Sequence, residues 1–332
     1  MSQPAHAIPV LVVSGFLGSG KTTLIRALLA DPRARDAALI VNEFGEVGID
    51  HHLLRHTDER TTLLRNGCVC CSLREDLSEA MRDLLARKER GEGPEFDRVI
   101  IETTGLADPG PILHTIVSDS VLRNRYRMDR ALVTLDAVAG ISNLATYGEA
   151  LRQVAAADLV VLTKLDLAPP DREGQLRAAV AAINPAAVVV PGHHGRFDLD
   201  LALDPAAPRA IGFDAPLLDA AAPAIRHAAA GAVSSHTLVF DEPLDWRMFG
   251  IWLTLLLHRH GERVLRMKGL LNVGSERGPL LLEGVQHVMH APRHLAEWPD
   301  DDRRSRLVFI TRDLDIGAIR ASLEGFMAAA RA

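Results

Sequence analysis

Short, almost uninterrupted apolar runs alternate with segments of helical period through the first 195 residues. Ile8-Pro9-Val10-Leu11-Val12-Val13 is predicted to be a strand, followed by a helix from Lys21 to Leu29 that opens at a Gly-rich turn. Ala38 to Val41, Arg98 to Ile101, Ala131 to Leu135, Leu159 to Leu162 and Ala187 to Val190 predict further strands. Leu73, Leu77, Met81, Leu84 and Leu85 fall on one face of a helix over 73–87, and a second helix is predicted over 172–183. Strands apolar on both sides and separated by helices predict an α/β domain: a mostly parallel sheet with helices on both faces.

The pattern changes near Gly195. Residues 196–233 are read as a linker, its stretch 202–232 rich in Ala and Pro with little periodicity. From Ser234 to the end, strands are predicted at 236–240, 263–273, 280–290 and 307–311, with helices at 246–258 and 316–329. That grouping predicts a smaller α+β domain over 234–332, after a nucleotide-binding domain over 1–195.

Composition narrows the function classes. Of the 332 residues 48% are hydrophobic but only 4% aromatic, so the cores are built from Ala, Leu and Val. A net charge of −6, with no basic run, argues against a general electrostatic grip on nucleic acid or an anionic membrane. The first residues lack a basic start before an apolar stretch, and no apolar run approaches the ~20 residues of a membrane span, which predicts a soluble, cytoplasmic protein.

The strongest chemical signal is Gly15-Phe16-Leu17-Gly18-Ser19-Gly20-Lys21-Thr22. It fits the G-x-x-x-x-G-K-[ST] phosphate loop, between a strand and a helix as that loop requires. Glycines let successive N–H groups turn inward on a phosphate, and the helix start adds partial positive charge. Lys21 reaches the outer phosphates and Thr22 offers a hydroxyl to Mg²⁺, with Ser19 and Thr23 beside them. After the strand 98–101, Glu102 is placed to hold Mg²⁺ and Gly105 to present its N–H to a γ-phosphate. Lys21, Thr22, Glu102 and Gly105 are therefore the candidate catalytic residues. Thr163-Lys164-Leu165-Asp166, after the strand 159–162, is similar to the N/T-K-x-D element that reads guanine. The Asp accepts from N1 and N2 of the base, a donor pair that adenine lacks.

All three cysteines, Cys68, Cys70 and Cys71, lie within four residues. Tight clustering excludes a disulfide framework and points to a soft or borderline cation, with Zn²⁺ or Cu⁺ preferred over Mg²⁺. A redox thiol pair and buried apolar cysteines are the alternatives. Glu43, Glu46, His51, His52 and His56 are candidates for a fourth ligand, with Glu43 taken first. The histidines at 258, 260, 287, 290 and 294 are read as scattered surface residues.

Together these residues resemble the CobW-like P-loop GTPases, metallochaperones related to the urease and hydrogenase maturation GTPases. The resemblance rests on Gly15 to Thr22, Asn42-Glu43-Phe44-Gly45-Glu46, Gly67-Cys68-Val69-Cys70-Cys71, Glu102 to Pro109 and Thr163 to Asp166. It extends to Gly284-Val285-Gln286-His287, Glu297-Trp298 and Ser305 to Ile310 in the second domain. It implies GTP hydrolysis, with Mg²⁺, coupled to loading of Zn²⁺ or Co²⁺ into a client metalloenzyme. Clients of relatives include cobalamin-pathway and nitrile hydratase systems. This chain lacks the long His-rich insertion of some cobalamin-associated members. A homodimer is admitted. Two other readings stay open: a zinc-storage or sensing protein that uses nucleotide only as a switch, and a P-loop kinase of a small metabolite.

Overall fold

The computed structural model describes residues 7–42, 61–64, 72–92, 95–193, 196–204, 225–227, 231–275 and 278–329. They form two compact units.

The first is built on a seven-stranded sheet: β1 (Ile8–Gly15), β2 (Ala37–Asn42), β3 (Thr61–Leu64), β4 (Arg98–Glu102), β5 (Tyr126–Asp136), β6 (Leu159–Thr163) and β7 (Val188–Pro191). Their order is β3-β2-β4-β1-β5-β6-β7, and every pair is parallel. The helices in chain order are α1 (Lys21–Ala30), α2 (Ser72–Arg90), α3 (Pro109–Ser118), α4 (Leu122–Arg125), α5 (Gly140–Thr146), α6 (Gly148–Ala156), α7 (Arg172–Ile183) and α8 (Asp200–Leu203). Helical crossovers are what parallel neighbours require, and they cover both faces of the central strands. Val10 to Val13 in β1 and Leu159 to Leu162 in β6 are accordingly fully buried. On one face Leu11, Val13, Ile100, Leu132 and Val161 pack with Leu24, Ile25 and Leu28 of α1. The helix α6 packs on β1 and β5 and against α3.

The second unit is antiparallel, with strand order β12-β11-β10-β14-β9-β8 and β13 paired to β11. Its strands are β8 (Ile225–His227), β9 (Gly231–Phe240), β10 (Val264–Leu271), β11 (Leu280–Val285), β12 (Val288–Met289), β13 (Arg293–His294) and β14 (Ser305–Arg312). The helices α9 (Trp246–His260) and α10 (Ile316–Ala329) pack together. Their core joins Phe249, Trp252, Leu253, Leu256, Ile319 and Leu323 to Met267, Leu282, Leu307 and Phe309 of the sheet. Trp252 sits tilted on Phe249 (ring centroids 5.6 Å apart) and edge-on to Phe309 (6.3 Å).

Two details depart from the sequence expectation. The span 280–290 is a hairpin rather than one strand, turning at Gln286 with φ 53° before β12. The stretch read as linker contains α8, the strand β8 and the start of β9. Among the described residues no helix is long and apolar enough to cross a membrane.

Candidate nucleotide site

Strands β4, β1, β5 and β6 are consecutive in the first sheet, and all run the same way. The segments that leave their C-terminal ends therefore meet along one edge, where open α/β sheets bind ligands. Those segments are 15–20, 103–108, 137–139 and 164–167, and they carry the predicted phosphate, Mg²⁺ and base elements.

At the end of β1 the chain turns through Gly15, Gly18 and Gly20, with φ of 142°, 69° and 99°. Gly15 has a second reason to be glycine: a Cβ there would lie 2.2 Å from Thr134 Oγ1 and 2.6 Å from the Thr134 carbonyl. Ser19 turns its side chain inward, its hydroxyl 2.6 Å from that of Thr134. The Thr163 hydroxyl donates to the Ser19 carbonyl (2.7 Å). Thr163 thus braces the phosphate loop from β6, and its hydroxyl is turned to that loop. Lys21 Nζ donates to the carbonyls of Gly15 (2.8 Å) and Phe16 (3.2 Å), which places its charge over the loop. No side chain caps the start of α1 and its first turn holds no acidic residue, so its positive end keeps its pull on an anion. Thr23 is exposed on the same turn.

The Thr22 hydroxyl donates to Glu102 Oε1 across 3.2 Å, and Glu102 is the buried last residue of β4. Two hard oxygens at this spacing beside a phosphate loop fit Mg²⁺, which would take Thr22 and Glu102 as ligands and add phosphate oxygens and water. Just beyond, Gly105 lies against the phosphate loop. A Cβ on it would fall 2.7 Å from Leu17 N and 2.8 Å from Leu17 Cα. The segment is tied to α6 at two successive residues: Gln153 Nε2 donates to the carbonyls of Gly105 and Ala107, both at 3.1 Å, and Arg152 pairs with Asp108 (3.2 Å). Asp108 also caps α3, accepting from Gly110 N (2.9 Å), with Pro109 in the first turn. The residue before α6, Tyr147, stacks on Phe16 of the phosphate loop, ring centroids 4.7 Å apart.

On the base side, Lys164 takes the left-handed conformation (φ 57°, ψ 32°), which is strained for a side chain with a Cβ. Its ammonium pairs with Asp136. Asp136 in turn accepts from the N–H groups of Val138 (2.6 Å) and Ala139 (3.0 Å), fixing the turn after β5. Asp166 stands exposed in the short 3₁₀ turn Leu165–Leu167.

Of the predicted residues, Gly15, Gly18, Ser19, Gly20, Lys21, Thr22, Thr23, Glu102, Gly105, Thr163, Lys164 and Asp166 all lie on this edge. Glu43, Cys68, Cys70 and Cys71 lie outside the described residues, as do Glu46, His51, His52 and His56. Among the described residues no three His, Cys, Asp or Glu side chains gather as a metal site. In the second unit His287 Nδ1 lies 3.3 Å from the Leu257 carbonyl and His294 Nδ1 3.0 Å from that of Gly278, so both meet backbone. Sequence reasoning missed Asp136, although an acid at the end of the β5 run is the same signal that marked Glu102. It also missed Thr134, Tyr147 and Gln153, whose roles exist only through contacts distant in the chain.

Residues 9–191 match the nucleotide-binding domain of the CobW/HypB/UreG family, and residues 233–327 match the CobW C-terminal domain. The zinc chaperone YjiA of Escherichia coli is 36% identical over 326 residues, covering 96% of this chain and 99% of that protein. The zinc chaperone CobW of Pseudomonas aeruginosa is 31% identical over 355 residues, covering 97% and 92%. The crystal structure of Zn(II)-bound YjiA GTPase superposes with a TM-score of 0.70 at 32% identity, over 96% of this chain and 99% of that one.

Proposed function

Since the chain belongs to the CobW/HypB/UreG family of P-loop GTPases, we propose that it is a metallochaperone that passes a transition metal to a client metalloenzyme under control of GTP hydrolysis. The observation that carries this is the end-to-end similarity to two proteins described as zinc chaperones, in a chain whose three thiols fall within four residues. Those names favour zinc over cobalt as the cargo.

Cys68, Cys70 and Cys71 hold the metal as thiolates, with Glu43 as the fourth ligand. An open fourth position suits release to a client better than a closed structural set. In the chain Glu43 comes directly after β2 and the cysteines come after β3, and these two strands belong to the sheet that carries the phosphate loop. GTP draws these segments into one arrangement, and loss of the γ-phosphate lets them relax and the metal leave.

For hydrolysis, the N–H groups of 15–20 and the Lys21 ammonium hold the outer phosphates, and Asp166 selects guanine. Bound Mg²⁺ supplies charge neutralisation at the β- and γ-oxygens; Thr22 and Glu102 are the groups to hold it. Gly105 offers its N–H to the γ-phosphate. No side chain in this set is a strong general base, so the unaided turnover is slow and rests on positioning.

The test is a zinc titration of the whole protein with GTP, with GDP and without nucleotide, beside a chain in which Cys68, Cys70 and Cys71 are all Ser. Zinc should bind more tightly in the GTP form, and the Ser variant should lose that site. Equal zinc affinity in the two nucleotide forms would overturn the coupling.

A further inference from the structure

Gln153 lies in the middle of α6, and only 1% of it is exposed. Its side-chain nitrogen is shared between the carbonyl oxygens of Gly105 and Ala107, each 3.1 Å away. Two acceptors can be served only by the NH₂ group, so the orientation of the amide is fixed by its partners. The cost of that orientation is visible: Gln153 Oε1 is buried with no hydrogen-bond partner among the described residues. Thr104 Oγ1, on the residue before Gly105, is likewise buried without a partner among the described residues. A buried amide oxygen left unpaired is unfavourable, and Leu or Met would fill the same space without it. What Gln153 provides is therefore the pair of donors.

Those donors act at a sensitive place. The Gly105 carbonyl belongs to a residue packed against the backbone of Leu17 in the phosphate loop, with no room for a Cβ. Holding the carbonyls of 105 and 107 fixes the 105–106 and 107–108 peptide planes, and with them the local course of the segment. The same helix grips Asp108 through Arg152 and is preceded by Tyr147, which stacks on Phe16. One element thus spans from the phosphate loop to the segment after β4.

We propose that Gln153 is a positioning residue for GTP hydrolysis: its amide sets the Gly105–Ala107 segment for the γ-phosphate. The inference rests on the reading of Gly105 as the γ-phosphate contact.

The experiment compares the full chain with Gln153→Met, which keeps the volume and removes both donors. Turnover is expected to fall about tenfold, and preference for a non-hydrolysable GTP analogue over GDP by about fivefold or more. GDP affinity, which does not use the segment, should stay within about twofold and certify the fold. Unchanged turnover and unchanged preference in a GDP-binding variant overturn the proposal. Two measurements on the wild-type chain complete it. The side-chain amide NMR signals of Gln153 should move between the GDP and GTP-analogue forms, and signals that stay in place overturn the proposal even if the variant does not fold. Backbone amide exchange over 104–108 should also differ between the two forms. No difference means that the γ-phosphate reading itself fails. A difference that persists in Gln153→Met means that only the role of Gln153 fails.

Discussion

Gly15 shows how one residue joins two strands. A methyl group at this position would collide with the Thr134 side chain and carbonyl, and φ is 142° besides. Gly15→Ala should therefore abolish nucleotide binding, as judged by calorimetry with GDP, while the second unit stays folded. Asp166 is the opposite case, exposed and held by no ion pair among the described residues. Asp166→Ala should weaken GTP by about 10–100-fold, the worth of a charged, two-point hydrogen bond, and leave the melting temperature unchanged. Both residues were legible because their motifs are contiguous in the chain. Gln153 and Thr134 were not. Their meaning comes from partners more than 40 residues away, Gly105 for one and Ser19 for the other. Thr163, at the head of the Thr163–Asp166 element, acquires a further role only in space, as a donor to the Ser19 carbonyl.

Some helices were legible to their ends: α7 and α10 match the expected spans 172–183 and 316–329. Others were lost. The helix α3 begins Pro109-Gly110-Pro111, which reads as a turn, yet proline is tolerated in a first turn whose N–H groups lack partners in any case. The helix α6 is only nine residues long and opens on Gly148, so no start signal marks it in the sequence. At the end of α3, Asp119 ties two helices together. It accepts from Ser78 (2.5 Å) and Arg82 (2.6 Å) of α2 and from the N–H groups of Val121 and Leu122. Burial pushes its pKa up, but the hydrogen bonds from Ser78, Leu122 N, Arg82 and Val121 N outweigh it and hold the group at about 2. A carboxyl depressed in the folded state stabilises above its ordinary pKa, near 4, and loses that contribution as pH falls toward about 2. Asp119→Ala should thus cost about 1–3 kcal/mol in urea unfolding at pH 7. The gap to wild type should narrow as the titration moves from pH 4 to pH 2, and a pH-independent gap would refute this assignment.

At the scale of the molecule, the two units carry separate apolar cores, one on a parallel sheet and one on an antiparallel sheet. The class of each was legible in the sequence, because buried parallel strands read as unbroken apolar runs while grouped strands read as an α+β unit. The hairpin at 280–290 was not, since Gln286-His287 lacks the Gly or Asn that usually marks such a turn. The proposed coupling makes a demand on the whole protein that is independent of pathway. If GTP tightens zinc, zinc must tighten GTP by the same factor, about 5–150-fold for a coupling of 1–3 kcal/mol. Measuring both halves of that cycle on one preparation checks it, and unequal factors at equilibrium would mean that a further metal or nucleotide site is being filled.

The stack of Tyr147 on Phe16 has a practical use. All three tryptophans, Trp246, Trp252 and Trp298, belong to the second unit, so the first unit carries no indole of its own. Tyr147→Trp would put an indole directly on the phosphate loop and turn that edge into an optical reporter. Its emission would follow nucleotide exchange in real time without a label on either the ligand or the protein.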